Sequence, residues 1–419
     1  MCEISSQVYD RVQTAMWLTT TIVVVVSIIV CRGDVPYTSH NSLYFYCNIT
    51  GLHNETITCK NMVDIISSYH VHPTAFRNAS NLYIFGTLKH LQSILRPDTY
   101  SEMHNWKRIR ISHTILTTIV PRSFYKMNNL EHIALTDTSI TYVQPNAFME
   151  LPKLREVILA RNKIVDFDNN MFVLCPFVRL LDFGNNRIYN TKDLAFFGVI
   201  GSVLHINLSN NRINSSFINV YQSYTDRIRS LWYAHNKFTQ LKVGWFKLRK
   251  KLRVINFAYN EIGYIEQNTF KDNPNLHTII LSYNKLINIP VTMLPANFYP
   301  NLKYLAMDHN WIMGLDTSKQ GPFRLLTNLT KITLAGNPFY CSCLNEVLNQ
   351  IKHINVQQVC SEEEHTREIC IAEEEDLETP CHLIPVNENS MNRDYFIKEN
   401  TAPTSFDPLY CLIDEFIIP

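Results

Sequence analysis

Hydrophobic residues recur along the middle of the chain in a motif that repeats about every 24 residues. The motif is L-x-x-L-x-L-x-x-N-x-L, where L is a bulky apolar residue, and a clear copy runs from Leu276 to Leu286. Its alternating apolar residues, here Ile279 and Leu281, predict a short strand with one buried and one solvated face. The first apolar position of each repeat is Leu82, Trp106, Leu130, Leu154, Val178, Val203, Ile228, Leu252, Leu276, Leu302 and Leu329.

Because one such unit cannot bury its own apolar face, the strict period predicts that the units stack into a solenoid. A second bulky residue follows 18 positions after the first apolar residue of most repeats. The regular period favours a core spine over an aromatic cofactor site at these positions. The spine residues are Phe124, Phe148, Phe172, Phe196, Tyr221, Phe246, Phe270 and Leu294.

Asparagine at the ninth position of the motif explains part of an unusual composition, since the 419-residue chain has only 11 glycines. An asparagine amide both donates and accepts, so it can satisfy buried backbone groups where each strand ends. Thr114 and Thr138 take this position in two early repeats. The asparagines of this predicted ladder are Asn162, Asn186, Asn211, Asn236, Asn260, Asn284, Asn310 and Asn337.

The repeats resemble those of the extracellular leucine-rich-repeat family, and insect leucine-rich-repeat immune proteins are similar in their leader, repeat array and rear cap. The resemblance implies an α/β repeat solenoid, a horseshoe with a parallel sheet on its concave face and disulfide-stapled caps. It divides the chain into a leader at 1–33, a front cap at 34–81, repeats at 82–336, a cysteine-rich rear cap at 337–382 and an irregular tail at 383–419.

Cysteines flank the repeats in the manner of the caps of that family. Cys47 and Cys59 precede the array, and Asn337-Pro338-x-x-Cys341-x-Cys343 follows its last strand. The resemblance implies that Cys341 and Cys343 each pair with a later cysteine, one with Cys360 and the other with Cys381. Zinc is the competing interpretation of this pattern, but a secreted chain favours disulfides.

The remaining cysteines leave alternatives open. Cys370 with Cys411 would tie down the tail, and Cys175 is then unpaired. Cys175 is either a buried free thiol or the site of an interchain disulfide that would link a dimer.

The start of the chain predicts a secretory route. Residues 16–30 are apolar or neutral and match the apolar region of a signal peptide, with cleavage after Gly33. An uncleaved signal anchor is the alternative. Glycosylation is predicted at the sequons that begin at Asn48, Asn54, Asn78, Asn214 and Asn328. A sixth sequon, at Asn207, lies on the predicted outer face of the sheet, where a glycan would shield the surface.

A parallel sheet brings the same repeat position into register on neighbouring strands, so the outward residues form columns. We expect positions three, five and eight to be exposed. An aromatic patch in the later repeats predicts a partner site, because interface hot spots favour such residues. The patch is Trp232, His235, Tyr259, Tyr283, Tyr304 and His309. A secondary basic patch is Lys107, Arg108, Arg110 and His113.

The formal net charge of +1 gives no general attraction to nucleic acid or to anionic membrane. No spacing typical of a catalytic, cofactor or metal site stands out. The sequence therefore predicts a secreted, non-enzymatic scaffold that binds an extracellular protein or glycan, with no cofactor, no metal and no membrane span after cleavage. By resemblance, innate-immune or microbial-surface recognition is the leading role. Adhesion or guidance through a cell-surface receptor is the alternative.

Overall fold

The computed structural model describes residues 22–25, 46–50, 56–62, 78–87, 93–95, 103–168, 170–189, 201–214, 226–247, 249–288, 293, 301–313, 326, 328–339, 344, 349 and 355–356. The chain divides into two compact units. Unit 1 comprises Met1–Asn162 and Asn170–Pro176, and unit 2 comprises Lys163–Asn169 and Phe177–Pro419.

The strands of unit 1 follow the predicted repeat. They are β1 (Ile22–Val25), β2 (Tyr46–Thr50), β3 (Thr56–Met62), β4 (Asn81–Thr87), β5 (Ser93–Leu95), β6 (Arg108–Ser112), β7 (Leu116–Ile119), β8 (Phe124–Tyr125), β9 (His132–Thr136), β10 (Tyr142–Val143), β11 (Phe148–Met149), β12 (Glu156–Ile158) and β14 (Phe172–Val173). The main sheet has the order β1-β2-β3-β4-β6-β9-β12. It is antiparallel from β1 to β3 and parallel from β3 onward.

Unit 2 also follows the repeat, and its main-sheet strands are parallel. Its strands are β13 (Asp166–Phe167), β15 (Leu180–Asp182), β16 (His205–Asn207), β17 (Ser230–Trp232), β18 (Gln240–Leu241), β19 (Val254–Asn256), β20 (Tyr264–Ile265), β21 (Thr278–Ile280), β22 (Tyr304–Ala306), β23 (Lys331–Thr333) and β24 (Asn355–Val356). The sheet order is β15-β16-β17-β19-β21-β22-β23-β24. We call the face of each main sheet that carries positions three and five its open face.

The predicted parallel solenoid is confirmed, and the regular secondary structure of the described residues is almost all β-strand. The return segments form short parallel strands, such as β8, β11 and β14, and the described residues contain almost no helix. Strand β1 lies inside the predicted signal segment and pairs with β2. Signal cleavage itself stays a prediction.

The aromatic spine is a packed core, as predicted for its described members. In unit 1 the rings of Phe124 and Phe148 stack with centroids 5.5 Å apart, and those of Phe148 and Phe172 stack at 5.0 Å. In unit 2 the rings of Phe246 and Phe270 lie 5.1 Å apart. These side chains are buried, so their aromatic character serves packing.

The asparagine ladder is confirmed in detail, and each amide joins two successive coils. Asn260 Oδ1 accepts the Phe238 N–H at 3.1 Å, and its Nδ2 donates to the carbonyls of Tyr233, Phe257 and Ala258 at 2.9 to 3.1 Å. Asn162, Asn211, Asn236, Asn284, Asn310 and Asn337 also bond to backbone groups of a neighbouring coil.

The two threonines at this position differ from each other. Thr138 Oγ1 donates to Asn162 Oδ1 at 2.8 Å. Thr114 Oγ1 is buried and has no hydrogen-bond partner among the described residues, so Thr114 does not replace the asparagine as expected. A threonine hydroxyl is shorter than an asparagine amide and reaches fewer backbone groups.

The described cysteines resolve one of the open alternatives. Cys175 is a buried free thiol that donates weakly to the carbonyls of Phe148 and Val173. Burial raises the pKa of Cys175 to about 12, so the reactive thiolate is suppressed and Cys175 does not suit an interchain disulfide. Cys59 is disulfide-bonded, and Cys47 lies directly opposite it across β2 and β3. Cys341, Cys343, Cys360 and Cys381 lie outside the described residues.

Candidate functional site

The eighth position of every described repeat holds its backbone in the left-handed region, which the sequence did not reveal. Only glycine adopts this region without strain, and other residues lose about 1 to 2 kcal/mol each. The column nevertheless includes arginine, tyrosine and histidine, and it ends at Gly336 with φ 67°. Its other members have φ between 48° and 56° and are His113, Asp137, Arg161, Asn185, Asn210, His235, Tyr259, Tyr283 and His309.

Four aromatic members of this column stack face to face in unit 2, and we call them the ring ladder. The centroid distances are 4.1 Å from His235 to Tyr259, 4.2 Å from Tyr259 to Tyr283 and 4.3 Å from Tyr283 to His309. The planes differ by only 9° to 13°. Each stacked pair contributes about 0.5 to 1.5 kcal/mol, so the ladder offsets much of the backbone strain.

Elsewhere the column makes polar contacts between successive coils. In unit 1, Arg161 Nε donates to both carboxylate oxygens of Asp137, at 3.0 and 3.1 Å. In unit 2, Asn210 Nδ2 donates to Asn185 Oδ1 at 2.6 Å. Identical backbone geometry therefore aligns position-eight side chains closely enough to pair.

The predicted aromatic residues differ in their exposure. His235 is exposed, and Tyr259 and Tyr283 are half-buried. His309, expected at the surface, is buried and only 6% exposed. Its ring lies between Tyr283 and the backbone of Gly336, since a Cβ added at Gly336 would lie 2.6 Å from His309 Cε1. His309 is therefore the buried end of the stack of rings.

Position five also departs from expectation in the later repeats. Ile280 and Ala306 were expected on the exposed face, but they are 1% and 2% exposed. They form a buried cluster with Ala234 and Ala258, against which Tyr259 packs. The ladder thus covers small apolar residues of the sheet that the alternation pattern assigned to solvent.

Trp232 and Tyr304 lie on the open face outside the ladder, and both are half-buried. Trp232 aligns with Asn207 on one side and Asn256 on the other. The Tyr304 ring lies 5.1 Å from the ring of His277, and Lys331 Nζ lies 5.8 Å from its centroid, within cation–π range. We define the aromatic surface as Trp232, His235, Tyr259, Tyr283 and Tyr304.

Asn207 is part of a polar cluster rather than a simple surface residue. Its Nδ2 donates to Asp182 Oδ1 at 3.0 Å, and its Oδ1 accepts the Ser209 N–H at 3.0 Å. Gly184 leaves space for this amide, since a Cβ there would lie 2.9 Å from Asn207 Nδ2. This structural use agrees with leaving Asn207 out of the predicted glycosylation sites.

Asp308 is a half-buried acid next to the ladder. Its Oδ2 accepts hydrogen bonds from Ser282 Oγ at 3.0 Å and from Thr333 Oγ1 at 2.5 Å. Burial raises the pKa of the Asp308 carboxyl above its ordinary value of 3.8, although the two hydroxyl donors and His309 partly oppose this. The folded protein therefore retains the Asp308 proton at a pH where the unfolded chain has lost it.

We expect Asp308→Asn to remove a pH-dependent part of the stability. A raised folded-state pKa of an acid favours folding at low pH, and this contribution is lost as pH rises from 3.8 through the raised value. Urea midpoints measured across this range should fall less with pH in Asp308→Asn than in the wild type. Asp226→Asn, at an exposed position, is the control. Parallel pH profiles for wild type and Asp308→Asn would contradict this assignment.

The basic residues predicted in the first full repeat lie in unit 1 and are exposed. Arg108 and Arg110 alternate with the buried Ile109 and Ile111 on β6. Lys107 immediately precedes this strand, and His113 follows it at position eight. Arg108 and Arg110 therefore share the open face of unit 1, and His113 begins the left-handed column.

The structure describes four of the five asparagines at which glycosylation is predicted. Asn78 and Asn328 are exposed, Asn214 is half-buried, Asn48 lies in β2, and Asn54 lies outside the described residues.

No group of three or more potential metal-ligating side chains occurs in the part of the chain that the structure describes. Within the same residues, the structure contains no apolar helix of membrane-crossing length.

Comparison with protein-family models identifies the repeat. Residues 104–164 and 227–286 match the family model described as leucine rich repeat. No curated protein matches the chain by sequence.

Solved structures share the fold at low sequence identity. A chain of the TLR13–ssRNA13 complex has a TM-score of 0.54 and 19% identity over 67% of this chain and 43% of that one. The complex of Toll and Spatzle from Drosophila gives 0.50 and 15%, over 64% and 39%. The octameric complex of Latrophilin 3, Unc5D and FLRT2 gives 0.55 and 19%, over 68% and 86%.

The chain spans less than half the length of the matched TLR13 and Toll chains. At these identities the likeness concerns the fold alone. The family match covers two segments of the same period that organises the strands of both units. The repeats of this chain are therefore leucine-rich repeats, and its described residues have the leucine-rich-repeat solenoid fold.

Proposed function

We propose that this chain is a secreted, non-enzymatic recognition protein that binds an extracellular protein through the aromatic surface of unit 2. The single observation that carries the proposal is the ring ladder, in which three stacked contacts fix the side chains before any partner arrives. Side chains that are already ordered lose little rotamer entropy on binding, and tyrosine and tryptophan are enriched at binding hot spots.

The stacking also favours a protein over a glycan. Both faces of the Tyr259 and Tyr283 rings lie against neighbouring rings. Neither ring can stack on a sugar without breaking the ladder, so a partner would contact ring edges. Trp232, Tyr304 and Lys331 lie on the same open face and add apolar and cationic groups.

Structural relatives support a recognition role of this general kind. The matched chains come from complexes with ssRNA13, with Spatzle, or of Latrophilin 3, Unc5D and FLRT2. By this analogy we propose innate-immune or microbial-surface recognition, with adhesion or guidance as the alternative. The identity of the captured partner, an immune effector or a cell-surface receptor, separates the two roles.

The test is affinity capture from extracellular fluid with wild-type protein and with Trp232→Ala and Tyr304→Ala in parallel. Both residues lie outside the ladder, so their loss should affect binding more than folding. We expect each change to weaken binding of the captured protein by about 2 kcal/mol, or roughly thirtyfold. Tyr264→Ala is the matched control, since Tyr264 is 58% exposed on β20. Equal capture by all variants would contradict the proposal.

A further inference from the structure

A second surface, in unit 1, combines exposed cations with the exposed Phe85 and the half-buried Tyr83. Strands β4 and β6 pair in register, with Tyr83 opposite Arg110 and Phe85 opposite Ser112. Leu82, Ile84, Ile109 and Ile111 are buried on the other face of these strands. Phe85 is 36% exposed, and Arg108 and Arg110 are exposed. Side chains on adjacent strands are about 5 Å apart, so rings and guanidinium groups form one surface.

Three described acidic side chains of unit 1 already pair with a histidine or an arginine. Glu156 Oε2 lies 2.7 Å from His132 Nδ1, and Glu131 Oε2 lies 3.8 Å from His132 Nε2. The Asp137 carboxylate forms an ion pair with Arg161. Neither Arg108 nor Arg110 has an ion pair among the described residues. Within the described residues, the first full repeat therefore presents arginine charge that no carboxylate pairs with.

We propose that this surface, made of Tyr83, Phe85, Lys107, Arg108, Arg110 and His113, binds an acidic segment of a partner protein. The guanidinium groups match carboxylates, with which arginine forms paired, charge-assisted hydrogen bonds. Phe85 and Tyr83 take the apolar side chains that flank those carboxylates. The site is separate from the aromatic surface of unit 2 and does not depend on its proposed role.

The extent of the surface favours a short acidic segment over a long polyanion. Beyond β6 the open face carries the half-buried Glu156 on β12, and the half-buried Glu131 immediately precedes β9. A uniformly charged polymer that ran along the sheet would meet these carboxylates. A peptide with a few acidic residues and an apolar neighbour would cover β4 and β6 alone.

The test uses fluorescence polarisation of a labelled peptide that contains four glutamates and two leucines. We expect it to bind the full chain, and the double variant Arg108→Gln/Arg110→Gln to weaken binding at least about tenfold. The matched control is Lys163→Gln/Arg187→Gln, which removes the same charge from two exposed sites in unit 2 and should leave binding unchanged. Trp232→Ala should also leave it unchanged, which separates this site from the aromatic surface.

Phe85→Ser distinguishes a built site from general charge attraction. We expect it to weaken peptide binding about fivefold to tenfold with no change in the salt dependence, because it removes apolar contact and no charge. The proposal is overturned if the peptide does not bind or if the control double variant weakens binding equally. Tighter, arginine-dependent binding of a heparin oligosaccharide or a single-stranded oligonucleotide would also overturn it, since the site would then be one for polyanions.

Discussion

Asn260→Ala should reduce the free energy of unfolding by about 3 kcal/mol or more, the largest effect we expect from one side chain. The amide is 8% exposed and serves the Phe238 N–H and the carbonyls of Tyr233, Phe257 and Ala258. Truncation leaves the Phe238 N–H buried without its acceptor, whereas the Tyr233 carbonyl keeps its hydrogen bond from Asn236 Nδ2 at 3.1 Å. The unsatisfied N–H costs about 1 to 3 kcal/mol, and each lost hydrogen bond to a carbonyl adds about 0.5 to 1.5 kcal/mol.

Urea denaturation of the full chain measures this loss as a shift of the midpoint at constant slope. Asn275→Ala is the matched control, because Asn275 is exposed and makes one hydrogen bond, from Nδ2 to the Lys250 carbonyl. We expect it to change stability by less than about 0.5 kcal/mol. Asn260→Asp keeps the acceptor for Phe238 and loses the donors. Similar losses in Asn260→Ala and Asn275→Ala would mean that the ladder does not hold the coils together.

Gly336→Ala should reduce stability by about 3 kcal/mol and should disturb the ring ladder. The left-handed backbone contributes about 1 to 2 kcal/mol of this cost. The added Cβ would lie 2.6 Å from Cε1 and 2.9 Å from Cγ of His309, and such overpacking costs about 1 to 3 kcal/mol. Because the ring is buried against Tyr283, it can yield only by leaving its stacked position.

Substitutions at two other glycines separate the cost of the left-handed backbone from the cost of the contact with His309. Gly244 has φ 90° and no atom within 4 Å of an added Cβ, so Gly244→Ala should show the backbone cost alone. Gly201 has open space and no positive φ, so Gly201→Ala should be neutral or slightly stabilising. Near-ultraviolet circular dichroism of the tyrosines should change in Gly336→Ala and stay constant in the two controls. A Gly336→Ala loss equal to that of Gly244→Ala would show that His309 does not depend on this contact.

Asn260→Ala and Gly336→Ala should affect the proposed recognition site differently. Loss of Asn260 weakens the scaffold between two coils without altering a predicted binding residue. A shift of His309 would instead loosen Tyr283 and Tyr259 on the aromatic surface through the stack. Gly336→Ala should therefore disturb the proposed recognition site through His309, although Gly336 itself has no side chain.

The amino-acid sequence by itself determined the architecture. A period of about 24 residues dictates stacking, because each unit has an apolar face that only a neighbour can bury. The same period places Phe148 in the spine and Asn260 in the ladder, since one buried role recurs in every coil. Local pattern was sufficient for these residues because their environment is identical from repeat to repeat.

Only the tertiary structure decided what happens at positions eight and five. The left-handed backbone of Tyr259 and Tyr283 contradicts local preference and is offset by contacts between residues about 24 positions apart. Burial of His309 and Ile280 likewise depends on the rings and small residues of adjacent coils. Alternation along one strand reports the direction of a side chain, but its exposure depends on what the neighbouring coils place over it.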